Sequence, residues 1–288
     1  MIIEYCSRMY PEKLREIENP PSRLYVLGNT KIINDNAISV VGSRTNTKYG
    51  EKMCKIFTKG LVEYNVNIIS GLAIGIDEIA HKTCLENGGR TIAVLPSGFN
   101  NIYPVKNKKL AKEILNNGGT LISEYEPNVQ ADSKKFLDRN RIVSALSLGT
   151  LVVEAGQRSG TRVTAKHAVK QGKKVFCIPS NLDNIKGKST NELIRKGAIL
   201  VTKVDDIINE YKDIKFIKKE IVHKDILLNI PKELHNIYKI LNDEPKDINE
   251  IILLSGESVN DVNYKLMLLE MEGLIEEISG QRYIKKIN

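Results

Sequence analysis

Short apolar runs, each stopped by a glycine, serine or charged residue, alternate with stretches of helical period over the first 200 or so residues. The runs are 37–41 ("AISVV"), 65–70 ("NVNIIS"), 91–98 ("TIAVLPSG"), 120–125 ("TLISEY"), 150–156 ("TLVVEAG"), 174–180 ("KVFCIPS") and 198–201 ("AILV"). A continuous apolar run, as opposed to an alternating one, marks a strand covered on both faces, as in a parallel sheet. Between the first two runs, Met53, Ile56, Phe57, Gly60, Leu61 and Tyr64 recur at helical spacing and predict one buried helix face. The repeated alternation predicts an α/β fold: an extended Rossmann-like, mostly parallel, doubly wound sheet with helices on both faces.

The pattern changes after residue 211. Residues 212–224, "KDIKFIKKEIVHK", have no clear period and a surplus of lysine, which predicts a basic linker. Three helical stretches follow, at about 232–242, 247–254 and 258–271. Ser258 and Asp261 make a capping box for the third, whose inward face reads Val259, Val262, Leu266 and Leu269. "GLIEEISGQRYIKK" then alternates around a Ser-Gly turn, as a two-stranded wing would. Three helices and a hairpin predict a small C-terminal winged-helix domain. The expected organisation is an N-terminal extension packing on the core (1–36), the Rossmann-like domain (37–211), the linker (212–224) and the winged helix (225–288).

Length agrees with this division, since 288 residues suit one large domain and one small one. The four cysteines, Cys6, Cys54, Cys84 and Cys177, lack C-x-x-C spacing, so neither a zinc site nor a disulfide framework is indicated, and a reduced cytoplasmic setting is expected. Glu4 interrupts the N-terminus and no run approaches about 18 apolar residues, so neither a signal peptide nor a membrane segment is expected. Charge is unevenly spread. Residues 225–288 hold seven basic and twelve acidic side chains, net −5, so the remainder of the +8 chain carries +13. A basic large domain suits an anionic partner.

Candidate chemistry lies in the loops that follow the strands, which in such sheets converge on one rim. They contribute Gly42, Ser43 and Arg44; Ser70, Gly71 and Gly75; "SGFNNIYP"; and Ser159, Gly160 and Thr164. Glycines allow close backbone approach, and helices starting just beyond offer unpaired N–H groups to phosphate. The dinucleotide fingerprint is absent, because an arginine stands at 44 where a second glycine would be needed. Arg44 is left with two readings, a ligand contact or a pair with a nearby carboxylate. "KKFLDRNRIVSALS" adds Lys134, Lys135, Arg139 and Arg141, with Asn140, around the aromatic Phe136. Cations for a backbone and a flat face for stacking are what single-stranded nucleic acid requires. Asp77 and His81 share a helix face and read as a simple pair. No cofactor or metal set is indicated.

Taken in order, "YPEKLREIENPPSRLYVLGN", "VGSR", "SGLAIGID", "FLDRNRIVSALS", "VVEAGQRSGTRVTA" and "STNELIRKGA" resemble the DprA/Smf family of DNA-processing proteins, from about residue 10 to the end. The resemblance implies a non-catalytic, dimeric, single-stranded-DNA-binding Rossmann fold. Such a protein protects incoming strands in natural transformation and loads the RecA recombinase where single-strand-binding protein would otherwise sit. It also implies phosphate contacts from Arg44, from Lys134 or Lys135, and from Arg139 and Arg141. Many family members carry a further small helical domain ahead of the "YP" segment, where this chain has about ten residues.

A rival class is the LOG-like phosphoribohydrolases, which share a related core and use a G-G-x-G-T-x-x-E loop. Here Glu154 precedes the loop, and Ser159-Gly160-Thr161 is followed by Arg162, Val163 and Thr164, with no acid at the motif's position. A non-catalytic protein is expected. For the tail, the net negative charge favours a protein contact over DNA.

Overall fold

A computed structural model describes residues 1–156, 159–218, 230–242 and 245–285. The chain divides into two compact units, Met1–Lys219 and Glu220–Asn288. The large unit is built on a nine-stranded sheet: β1 (Ile2–Glu4), β2 (Arg23–Gly28), β3 (Ala37–Val41), β4 (Asn67–Ser70), β5 (Thr91–Leu95), β6 (Thr120–Ser123), β7 (Gly149–Val152), β8 (Lys174–Cys177) and β9 (Ile199–Leu200). The spatial order is β1-β2-β6-β5-β4-β3-β7-β8-β9. From β6 to β9 every neighbour is parallel, and only β1 and β2 pair antiparallel. The chain winds outward from β3 through β4 to β6, then returns to lay β7 on the other side of β3. The crevice beyond the carboxyl ends of β3 and β7 is therefore the switch point at which open α/β sheets bind ligands.

Both sheet faces are covered. Helices Lys48–Glu63 and Ile76–Glu86 help close one face over Phe57, Leu61, Ile76 and Phe176, and helices Ser133–Leu146 and Thr161–Lys170 close the other over Ile142, Leu146, Ala165 and Ala168. The inward face of Lys48–Glu63 is turned slightly from the one the sequence suggests. Cys54, Phe57, Thr58, Leu61 and Val62 are buried, whereas Met53, Ile56, Gly60 and Tyr64 are only partly covered. The rotation lets the Cys54 thiol reach the Ile76 carbonyl at 3.6 Å, so two small side chains lie where bulkier ones were expected.

Residues 1–36 do more than pack on the core, because they enter the sheet. β2 pairs with β6 through Tyr25 and Ser123, β1 pairs with β2 through Ile2 and Tyr25, and the terminal ammonium donates to the Val26 carbonyl at 2.8 Å. The segment read as linker is docked over its first half. Phe216 joins the large core and Lys218 pairs with Glu63 at 3.6 Å; residues 219–224 lie outside the described residues. Among the described residues no helix is long and apolar enough to cross a membrane.

In the small unit, helices His235–Ile240, Ile248–Ser255 and Val259–Met271 enclose Ile237, Ile251, Val262, Leu266 and Leu269. Strand Arg282–Lys285 lies antiparallel between Lys246–Asp247 and Ile275–Ile278. Ser258 accepts from the Asp261 N–H at 3.2 Å and donates to its carboxylate at 2.6 Å. Val259, expected on the inward face, is 55% exposed because it occupies the first helical position, before the helix reaches the core.

Candidate nucleic-acid interface

At the switch point, β3 ends at Val41, Gly42 follows it, and the next residues are fixed by backbone bonds on both sides. The Ser43 N–H donates to the Glu154 carbonyl at 2.7 Å, and the Ser43 carbonyl accepts from Ile76 N–H at 3.1 Å. The Ser43 hydroxyl accepts from the Thr45 N–H at 3.1 Å, which closes a tight turn with Arg44 at its outside corner. Thr47 then caps the following helix by accepting from the Gly50 N–H at 3.0 Å.

Glu154 holds this corner. Its buried carboxylate accepts from the Thr47 N–H at 2.8 Å, from the Thr47 hydroxyl at 2.7 Å and from the Asn184 side-chain amide at 3.3 Å. With those donors spent on the framework, the carboxylate is aimed at the fold and not at an open site.

The corner opens on a cavity of about 730 Å³ lined by Gly42, Ser43, Arg44, Gly71, Asp77, Tyr103, Ser133, Phe136, Arg139, Asn140, Ser159, Gly160, Thr161, Thr164, Ile185 and Lys186, among others. Arg44 is exposed, its guanidinium lies 4.8 Å from the centre of the Phe136 ring, and none of the ion pairs formed among the described residues involves it. The carboxylate-pair reading of Arg44 is thereby displaced by a cation–π contact that leaves its N–H fork available. Tyr103 meets Phe136 edge to face at 5.6 Å, which fixes the ring. Tyr103 was missed as a site residue; "NIYP" carried it, but only the fold brings it to Phe136.

The expected residues divide. Gly42, Ser43, Arg44, Gly71, Phe136, Arg139, Asn140, Ser159, Gly160 and Thr164 share the cavity, whereas Ser70, Gly75, Lys134, Lys135 and Arg141 do not line it. Ser70 is buried and donates to the Val40 carbonyl at 2.6 Å. Gly75, at φ +85°, is where a side chain would collide with the Ser43–Arg44 backbone, so it serves loop packing and not ligand approach. Lys134 is exposed on the first turn of Ser133–Leu146, and Lys135 is half-buried against Asp132, with its ammonium 5.7 Å from the Tyr125 ring centre.

Two of the arginines are employed inside the protein. Arg139 is 3% exposed and donates to the carbonyls of Gly71, at 2.6 Å, and Val94, tying β4 and β5 together at their ends. Burial pulls its pKa down to about 10, with Asp77 opposing and Arg44 adding to the fall, so it stays charged at neutral pH. Arg141 makes a two-pronged pair with Glu124, at 2.6 and 3.1 Å, and donates to the Asn19 carbonyl at 2.9 Å. Neither presents a free fork to a phosphate, so both are corrected from contacts to supports.

Asp77 and His81 are not paired with each other. Asp77 accepts from the Gly71 N–H at 3.1 Å, and burial raises its pKa against the pull of Arg139. His81 shares a 2.7 Å bond with the Thr91 hydroxyl, and burial drives its pKa down to about 3, which leaves it neutral. Among the described residues no cluster of three His, Cys, Asp or Glu side chains could hold a metal.

Over residues 1–212 the chain matches the family model described as DNA recombination-mediator protein A. The chain belongs to the DNA recombination-mediator protein A family. It is 36% identical to Protein Smf of Escherichia coli, over 97% of this chain and 76% of that protein. It is 39% identical to DNA processing protein DprA of Streptococcus pneumoniae, over 73% of each. The solved structure of the pneumococcal protein superposes with a TM-score of 0.70, at 37% identity over 75% of both chains. DNA processing protein A of Helicobacter pylori, solved to explain its single-stranded DNA binding mode, gives a TM-score of 0.67 at 32% identity over 75% of this chain and 97% of that one. For this recombination-mediator family member, the cavity at the switch point brings together an arginine engaged by no ion pair among the described residues, an oriented aromatic and helix starts.

Proposed function

We propose that this recombination mediator is a non-catalytic single-stranded-DNA-binding protein that holds a strand across the switch-point cavity. Arg44 carries the proposal: an arginine fixed at a corner, resting on an aromatic face and engaged by no carboxylate among the described residues. Arg44 takes a phosphate at the cavity and the exposed Lys134 another beside it, in preference to Lys135, which is held by Asp132; Phe136 stacks a base, and the turns Gly42-Ser43 and Ser159-Gly160, with Asn140 and Thr164, offer polar groups beside them. Gly71 and Arg139 line the cavity's walls, while Ser70, Gly75 and Arg141 hold the surrounding elements in place. The Helicobacter pylori relative's single-stranded DNA binding supports the same ligand here. In this proposal the bound strand is kept for RecA, which the protein loads as a homodimer in competition with single-strand-binding protein.

Single-stranded oligonucleotides therefore bind more tightly than a duplex of equal length, with log K falling against log salt at a slope of about −0.7 per phosphate contact. Gel shifts across a salt series measure both. Equal affinity for the duplex removes the proposal. Nucleoside monophosphates and oligonucleotides incubated in the same samples, with and without magnesium, come back intact; base release that disappears in Glu154→Gln would instead favour a phosphoribohydrolase.

The small unit contributes little to this affinity. On its helix Val259–Met271, Asn260, Asp261, Asn263 and Glu270 are exposed, and Lys265 is spent on Glu257 at 2.7 Å. Phosphate would meet acids and amides there, and low salt would strengthen the repulsion. Ending the chain near Lys224 keeps single-strand affinity within about tenfold at matched salt. A cut near Tyr211 tests the lysines of 212–224 as well, though it also strips Phe216 from the core. A larger loss from the first cut, with unchanged oligomeric state, would show that the tail binds DNA.

A further inference from the structure

The segment Pro179–Lys188 brings Ile185 and Lys186 to the same cavity as Phe136, and it is fixed at its base while apolar at its tip. The Tyr49 hydroxyl donates to the Pro179 carbonyl at 2.9 Å. Asn191 brackets Ser180, donating to its carbonyl at 2.7 Å and accepting from its N–H at 3.0 Å. Asn184 donates to the Ser180 hydroxyl at 2.9 Å and to Glu154 at 3.3 Å, and accepts from the Lys186 N–H at 3.0 Å. Gly187 is buried so tightly that any side chain would strike Ser180. A loop held at so many points has its shape specified, yet it leaves Ile185 78% exposed beside a charged cavity. An apolar side chain kept exposed on a fixed scaffold signals a binding surface.

On the reading of the cavity as a single-strand site, we infer that Ile185 and Lys186 form the second wall of a one-nucleotide slot, Ile185 covering the base that stacks on Phe136 and Lys186 taking its phosphate. The cavity volume, about 730 Å³, lies within the range of about 300–1,000 Å³ found for small-ligand sites. Its lining carries complementary chemistry, an aromatic with a cation above it in Phe136 and Arg44, and an aliphatic with an adjacent cation in Ile185 and Lys186. Glu154 is the positioning residue, since one carboxylate grips Thr47 behind the Arg44 corner and Asn184 behind Ile185, and so sets the distance between them. A paired base must leave its stack to enter such a slot, which gives the site a physical reason to prefer single strands.

The test compares oligothymidine with an oligomer of the same length made of abasic sites, by fluorescence anisotropy. Ile185→Ser weakens oligothymidine binding about fivefold or more and leaves the abasic oligomer unchanged, because only the base is lost from its wall. Lys186→Ala weakens both equally and lowers the salt slope by about one contact. Both side chains are exposed, and unchanged circular dichroism melts confirm that the fold is kept. Arg44→Ala is measured alongside. If it binds as the unaltered protein does, the single-strand site itself is misplaced. If Arg44→Ala loses affinity while Ile185→Ser and Lys186→Ala do not, or if Ile185→Ser weakens both oligomers alike, the slot is refuted and the site stands.

Discussion

Replacing Arg139 by methionine lowers the stability of the large unit by about 2–5 kcal/mol, the cost of leaving two buried carbonyls without a donor at about 1–3 kcal/mol each. The substitution leaves the carbonyls of Gly71 and Val94 without their donor and strands Asp77, a buried carboxyl whose largest compensating charge is Arg139. The pH dependence separates the two losses. Burial raises Asp77 above its ordinary value of 3.8 in the folded chain, so between that value and the raised one the native state holds the extra proton. Stability from this group is therefore greatest at low pH, falls as pH rises through the window and is flat above it. Without Arg139 the folded value climbs further and the fall reaches higher pH. Urea titrations followed by circular dichroism, since the chain has no tryptophan, measure this as a deficit in the variant that is smaller near pH 4.5 than near pH 7.5. A deficit below about 1 kcal/mol at neutral pH would mean that Arg139 is not what holds the strand ends together.

Replacing Arg44 by alanine costs about 1.5–3 kcal/mol of single-strand binding, the range for hydrogen bonds to a charged group, or roughly 10- to 150-fold in affinity. The stability of the protein is unchanged, because Arg44 is exposed and its guanidinium rests only on the face of the Phe136 ring among the described residues. Arg44→Lys recovers part of the loss but not all of it, since an ammonium keeps the charge and gives up the two-pronged geometry. Full affinity in a folded Arg44→Ala protein would make the corner arginine a bystander. Arg44 and Arg139 are thus expected to separate cleanly, the first affecting binding without stability and the second affecting stability first.

That separation marks where the sequence was informative. The seven parallel strands were legible because a parallel strand covered on both faces reads as an unbroken apolar run. β1 and β2 escaped, since they are antiparallel, with polar or exposed residues beside their buried ones, and β1 is only three residues long at the edge. The convergence of the loops on one rim followed from strand–helix alternation alone. The roles of the arginines in "DRNR" did not, because composition shows a cluster of cations and not the direction each one faces. One signal was present: Arg139, Ile142, Val143 and Leu146 fall at i, i+3, i+4 and i+7, the spacing of a single helix face, and all four are buried. Arg141 lies off that face and turns to Glu124, a partner 17 residues upstream that helical spacing could not disclose.

The internal use of Arg139 and Arg141 bears on how such chains are sorted. A search keyed on "FLDRNR" selects for a way of tying off strand ends, and would gather proteins that keep this architecture whether or not they hold DNA. On the proposed reading of the site, Arg44, Ile185 and Lys186, whose side chains are exposed, are free to drift once binding is no longer selected. They, and not the arginine cluster, are the positions at which a relative that has abandoned DNA would differ first.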